Sequence, residues 1–201
     1  MVKETQLKAP HGEATREALI AAARDLFGSR GYGGTSLDAI VAATGVTKGA
    51  LYHHFSGKKH LFGAVFELVK RELSSQIAPA LQSSDPWIGI VDACRTYIEI
   101  HTDPAVERIV LLDARAVLSP DAWRRVDGQW GAVMFRGAFR RAINRGVLVP
   151  LPLNTLAMIV TGALAEGCLL VVDAEDPDAA RAEALTVVLQ LLGGLRSEER
   201  G

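Results

Sequence analysis

The sequence predicts an all-α fold, and three observations predict it. No stretch of the 201 residues sustains period-two alternation between hairpin turns, and apolar residues recur at three- and four-residue spacing along the chain. Four times a capping residue precedes a proline, at Asp85-Pro86, Asp103-Pro104, Ser119-Pro120 and Asp176-Pro177. Each such pair starts a helix: the capping oxygen accepts a free first-turn N–H, and proline gives up nothing where an N–H has no intrahelical acceptor.

About nine helices follow in order. The first spans 15–29, where Leu19, Ile20, Ala23, Leu26 and Phe27 share a face and the glycines between Gly31 and Gly34 end it. Residues 1–13 read as a flexible, mildly basic arm. Ser36 caps a short second helix at 37–44 that turns Ile40 and Val41 toward the first. Gly45 supplies a left-handed residue just past its end, Val46 plugs the crossing, and Thr47 caps a third helix at 48–55 whose Leu51 and Phe55 pack inward. These three helices form a head over 14–57. A fourth helix at 58–77, with Leu61, Phe62, Val65, Phe66 and Val69 as its stripe, joins the head to a body over 58–201. Body helices follow at 86–102, 104–117, 120–145, 153–173 and 177–196, with Gly146 stopping the third of these and Pro150 and Pro152 opening the next gap.

Residues 44–62 carry the turn and second helix of a helix-turn-helix, which points to double-stranded DNA as partner. Lys48, Tyr52, His53 and part of His54 stay outward, as contact with phosphates and base edges requires. The charge distribution agrees. Residues 1–60 carry eight Lys and Arg against five Asp and Glu, whereas 61–201 carry fourteen against eighteen, so only the N-terminal part suits a polyanion. Cys94 and Cys168 stand far apart in apolar helical contexts, as reduced core thiols of a cytoplasmic protein do. The N-terminus has no apolar leader, and Glu166 and Asp173 interrupt the longest apolar run, so neither export nor membrane insertion is expected. A nucleophile elbow, a dinucleotide turn, a phosphate loop and a His-Glu-x-x-His pair are all missing, so no enzyme, metal or cofactor is expected. The alternative reading is a helical ligand-binding or protein-interaction module without specific DNA binding.

The pieces Leu26-Phe27, Gly31-Tyr32, Thr35-Ser36, Ile40, Ala43, Gly45-Val46-Thr47-Lys48-Gly49, Leu51-Tyr52, His54-Phe55, Lys58 and Leu61 together resemble the head of the TetR family of one-component transcriptional regulators. Beyond residue 62 the resemblance is one of helix number and order. It implies a homodimer on an inverted-repeat operator, a body that binds a small-molecule effector, and a switch in which effector binding swings the fourth helix and changes the separation of the recognition helices. Repression relieved by an inducer is the expected sign. Paired recognition helices then occupy successive major grooves about 34–36 Å apart.

Candidate DNA contacts are Ser36, Thr47, Lys48, Gly49, Ala50, Tyr52, His53 and Lys58. Lys48 and Lys58 suit phosphate, while Ser36, Thr47 and Tyr52 add neutral hydrogen bonds. Gly49, Ala50 and His53 lie nearest base edges, Ala50 against a thymine methyl and His53 as a donor. A structural reading competes at several positions: Tyr52 and His54 packing on the fourth helix, Ser36 and Thr47 serving only as caps, Lys58 a solvated charge. No Arg or Asn stands on the recognition helix for a bidentate base contact, so DNA shape is expected to share in specificity. Two positions depart from the family pattern. Lys59 stands where an acidic residue is usual and opposes the helix dipole, and Leu37 stands where some members carry a polar or basic base reader.

In the body, Trp87, Cys94, Tyr97, His101, Trp123, Trp130, Met134, Phe135 and Phe139 form an apolar, aromatic set suited to a hydrophobic or aromatic effector, although core packing competes at each position. Cys94, Tyr97, His101, Trp130 and Met134 are the candidate ligand residues, the middle three because each joins a ring to a polar handle. Asp113 and Arg115 read either as groups orienting a polar part of the ligand or as a structural ion pair, and Glu166 carries the same ambiguity. The last two helices are too apolar for one surface each. Leu164, Gly167, Leu185, Val188, Leu189 and Leu192 are the candidate dimer residues, in a four-helix interface across a two-fold axis.

Overall fold

The computed structural model describes residues 8–197, and among these the backbone forms nine helices, a 3-10 turn at Ala80–Gln82 and one isolated bridge. The first helix, α1, is Lys8–Gly34. The arm expected over 1–13 is thus partly corrected: residues 1–7 lie outside the described residues, and 8–13 already belong to α1. Pro10 falls in the first turn, where its missing N–H costs nothing. The helix breaks at Gly31, whose φ of 72° and ψ of 170° interrupt its last turn.

The α2 helix, Leu37–Thr44, is capped by Ser36 Oγ, and Gly45 closes it in the left-handed conformation with φ 69°. The α3 helix, Lys48–His54, is capped by Thr47 Oγ1. The α4 helix is Lys58–Ile77, and its expected stripe is wholly buried. Phe62 meets Phe27 edge-on at 5.1 Å and Tyr32 at 5.2 Å, so the core runs unbroken from head into body.

The body helices begin where the capping dipeptides lie. Asp85 caps α5, Pro86–His101; Asp103 caps α6, residues 104–117; Ser119 caps α7, residues 120–144; and Asp176 caps α9, Pro177–Gly193. Between them, α8 is Leu153–Val172. Two features lie beyond the sequence expectation: α6 is wound as a π-helix over Arg108–Asp113, and α7 over Gly128–Ala132. Such wide turns re-aim the side chains beside them and recur at functional sites.

The α1 helix packs against α2, α4 and α6, whereas α8 and α9 pair closely along their length. After the turn at Gly146, the backbone of residues 147–149 bonds to 195–197, tying down the end of α9. By length and composition α8 is apolar enough to cross a bilayer, but half of it is buried inside the protein, as in a core helix.

Candidate DNA interface and effector region

The turn of the helix-turn-helix is held by its own backbone and caps. Gly45 N–H donates to Val41 O at 3.0 Å, Ala39 N–H to Ser36 Oγ at 3.1 Å and Ala50 N–H to Thr47 Oγ1 at 3.2 Å. Both hydroxyls therefore serve as caps while keeping an O–H free to donate to a phosphate oxygen. Ile40, Leu51 and Phe55 point inward, and Arg16 lies over the Phe55 ring from α1 at 5.6 Å. The opposite face is open: Tyr52 is 57% exposed, Thr47, Lys48, Gly49 and His53 are exposed, and Ala50 and His54 are half-buried.

Ser36, Lys48, Tyr52 and Lys58 border one open groove of about 530 Å³. Asp38 borders it too. Its carboxylate holds Lys48 Nζ at 2.7 Å, and this hydrogen bond with its charge keeps the lysine pKa above its ordinary value. The sequence reading missed Asp38, whose signal was an acid in the first turn of α2, ten residues before the lysine. Lys58 instead stands 4.2 Å above the Tyr32 ring, with no carboxylate on it in any ion pair among the described residues.

In the body, Tyr97 and His101 stack at 3.8 Å with their planes 11° apart, and both are buried. His101 Nδ1 lies 2.9 Å from the Tyr97 carbonyl, which can only accept, so Nδ1 carries the proton. Burial, reinforced by the Lys70 charge, lowers the His101 pKa to about 3. The ring is therefore neutral and Nε2 is a bare acceptor. That atom and Trp130 Nε1, a donor, are buried without a hydrogen-bond partner among the described residues. Beside them Lys70 Nζ pairs with Asp127 Oδ1 at 2.9 Å, and Ser74 Oγ donates to Trp130 O at 2.6 Å.

Lys70, Ser74 and Asp127 were not singled out from the sequence. Lys70 lies four residues after Phe66 and three before Leu73, on the apolar stripe itself, and that placement was the available signal. Cys94 is a core residue whose thiol burial pushes up to about 12, and Met134 and Trp130 are half-buried on α7. The Asp113–Arg115 ion pair does not form: Asp113 faces α1, and Arg115 lies 5.4 Å from the Trp123 ring.

The candidate dimer residues divide by exposure, and two of them, Gly167 and Val188, line the apolar groove between α8 and α9. Leu164, Gly167, Val188 and Leu192 are buried inside the subunit, and Leu185 and Leu189 are half-buried. Gly167 serves the α8–α9 contact itself, since a Cβ there would stand 3.2 Å from Ala184 Cβ. The outward ridge falls on the next positions round: Leu170 and Leu191, each 65% exposed, with Val187 and Glu166 beside them along an apolar groove of about 590 Å³. Both helices are apolar on more than one face, so each keeps one stripe inside the subunit and leaves another exposed.

A capped helix-turn-helix on a larger helical body whose apolar core encloses a few polar groups fits a one-component DNA-binding regulator. Residues 19–65 match the description of bacterial regulatory proteins of the tetR family, and residues 87–195 match the tetracyclin repressor-like C-terminal domain. The chain belongs to the TetR family of transcriptional regulators. The regulator SrpR of Pseudomonas putida is 28% identical over 173 residues, covering 79% of this chain and 78% of its own. A TetR-family regulator from Pectobacterium atrosepticum superposes with a TM-score of 0.82 at 35% identity, over 96% of this chain and 100% of that one. RolR, solved with resorcinol, shares the fold at TM-score 0.74 and 18% identity, over 92% of this chain and 91% of its own.

Proposed function

We propose that the protein is a cytoplasmic repressor that binds an inverted-repeat operator as a homodimer and leaves it when a small hydrophobic or aromatic effector occupies the body. The observation that carries the DNA part is the convergence of Ser36, Lys48, Tyr52 and Lys58 on one open groove of the head. Hydroxyls and ammonium groups at that spacing suit a phosphate backbone, while Gly49, Ala50 and His53 lie beside them for base edges. The exposed ridge of Leu170, Val187 and Leu191 supports the dimer, because a two-fold axis through it buries apolar surface on both copies at once.

Within the body, the unpartnered acceptor at His101 Nε2 and the unpartnered donor at Trp130 Nε1 favour an effector that joins an aromatic ring to polar groups. Resorcinol, the ligand of RolR, is a molecule of that kind.

The first experiment incubates purified protein with sheared genomic DNA of its source and sequences the bound fragments. A short inverted repeat in one or a few promoters is expected, with Tyr52→Ala and Lys48→Ala each weakening its retention and Lys48→Ala also reducing its salt dependence. If the two variants retain the same fragments with the same salt dependence, DNA binding through this face is wrong and the interaction-module reading replaces it.

A further inference from the structure

We propose that Asp113, on α6 of the body, is a positioning residue for DNA binding: its carboxylate fixes Tyr32, and the tyrosine ring in turn fixes Lys58 for phosphate contact. The proposal rests on the DNA reading above and adds a link between body and head that does not run along α4.

Three contacts make the link. The backbone of α1 breaks at Gly31 in a conformation essentially confined to glycine. The next amide, Tyr32 N–H, donates to Asp113 Oδ2 at 2.6 Å, across 81 residues of chain. A Cβ on Gly31 would lie 3.5 Å from that same oxygen and 3.6 Å from Arg108 Cδ, which are ordinary contact distances, so it is the backbone conformation at φ 72° rather than the space against α6 that calls for glycine here. Beyond the break, the Tyr32 ring is wedged edge-on against Phe62 at 5.2 Å and stacked on Phe27 at 5.9 Å. The third contact is the Lys58 ammonium, 4.2 Å above that ring.

The chemistry of the last contact matters. A carboxylate, as at Lys48, neutralises the cation it holds, whereas an aromatic face orients an ammonium and leaves its charge available to a phosphate. Lys58 is therefore aimed without being quenched, and the aim depends on where Tyr32 stands. Asp113 closes the π-wound segment Arg108–Asp113, whose Ile109, Val110 and Leu111 are buried in the core. A repacking of that interior shifts the carboxylate, and a displacement of about 1 Å suffices to carry a 2.6 Å contact beyond hydrogen-bond range.

The test is a double-mutant cycle with full-length protein on the recovered operator, with affinity measured across a range of salt. Asp113→Ala and Lys58→Ala are each expected to weaken binding about tenfold and to lower the salt slope by about one phosphate per head. The double variant should be no weaker than the weaker single variant, because both act through one contact. Asp113→Asn keeps an oxygen acceptor for Tyr32 N–H and should stay within about threefold of the unaltered protein. A loss of stability alone would reduce the active fraction without changing the salt slope. Should Asp113→Ala fail to fold by circular dichroism, Tyr32→Leu, which removes the ring, takes its place in the cycle with the same expected slope. Additive losses, an unchanged slope, or an Asp113→Asn protein as weak as Asp113→Ala would overturn the proposal. If the unaltered protein retains no specific fragment, the DNA reading fails and this proposal falls with it.

Discussion

Among single residues, Asp38 and His101 make the clearest commitments. Asp38 puts a negative charge on the face proposed to meet phosphate and holds Lys48 in an ion pair at 2.7 Å. Asp38→Ala frees the lysine and removes a repulsion, so operator affinity at low salt should rise roughly threefold with a steeper salt slope. Fluorescence anisotropy would show this, and weaker binding would mean that the pair orders Lys48 rather than restrains it. His101 has the opposite kind of role, inside the body. Its folded pKa of about 3 lies below the ordinary 6.5, so between those values the unfolded chain binds more protons than the folded one. Its contribution is therefore complete above about pH 6.5 and lost as pH falls toward 3, at up to about 1.4 kcal/mol per pH unit. Urea unfolding at pH 7 and pH 5 should show a larger loss for the unaltered protein than for His101→Phe, which keeps a ring to stack on Tyr97. Equal losses would contradict the buried, neutral histidine.

At the level of elements, the helices were legible in the sequence because their ends carry strong local chemistry. Asp85, Asp103, Ser119 and Asp176 each accept backbone N–H groups where a capping residue before proline requires it. The π-wound turns in α6 and α7 were not legible, since a wide turn is selected by what packs around it and leaves no spacing signature of its own. They also explain why the candidate site was read only in part. Tyr97, His101 and Trp130 were singled out as rings with polar handles, but Lys70 and Asp127 meet only through packing of α4 on α7. The break in α1 gives a direct test at this scale. Gly31→Ala forces a non-glycine residue into that conformation, and should cost about 1–3 kcal/mol in thermal or urea unfolding. A neutral effect would mean that the last turn of α1 can relax without loss.

For the whole molecule, the proposed dimer through the exposed ridge of α8 and α9 ties stability to association. The proposed dimer covers the exposed Leu170, Val187 and Leu191, so the melting temperature should rise with protein concentration. Leu191→Glu should give monomers by sedimentation velocity and lose tight operator binding while leaving the head folded. A dimer that persists would move the interface to another face. The apolarity of these two helices was legible in the sequence, whereas tertiary packing decided which stripe the subunit keeps for itself. The aromatic contacts of Phe62 with Phe27 and Tyr32 have a consequence for engineering. A chimera that grafts residues 14–57 onto another regulator would leave Phe27 and Tyr32 facing a foreign α4. Transplanting the DNA-binding head of this protein therefore means carrying α4 with it, and the receiving body must still offer a carboxylate to Tyr32 N–H and another to the buried Lys70, as Asp113 and Asp127 do here.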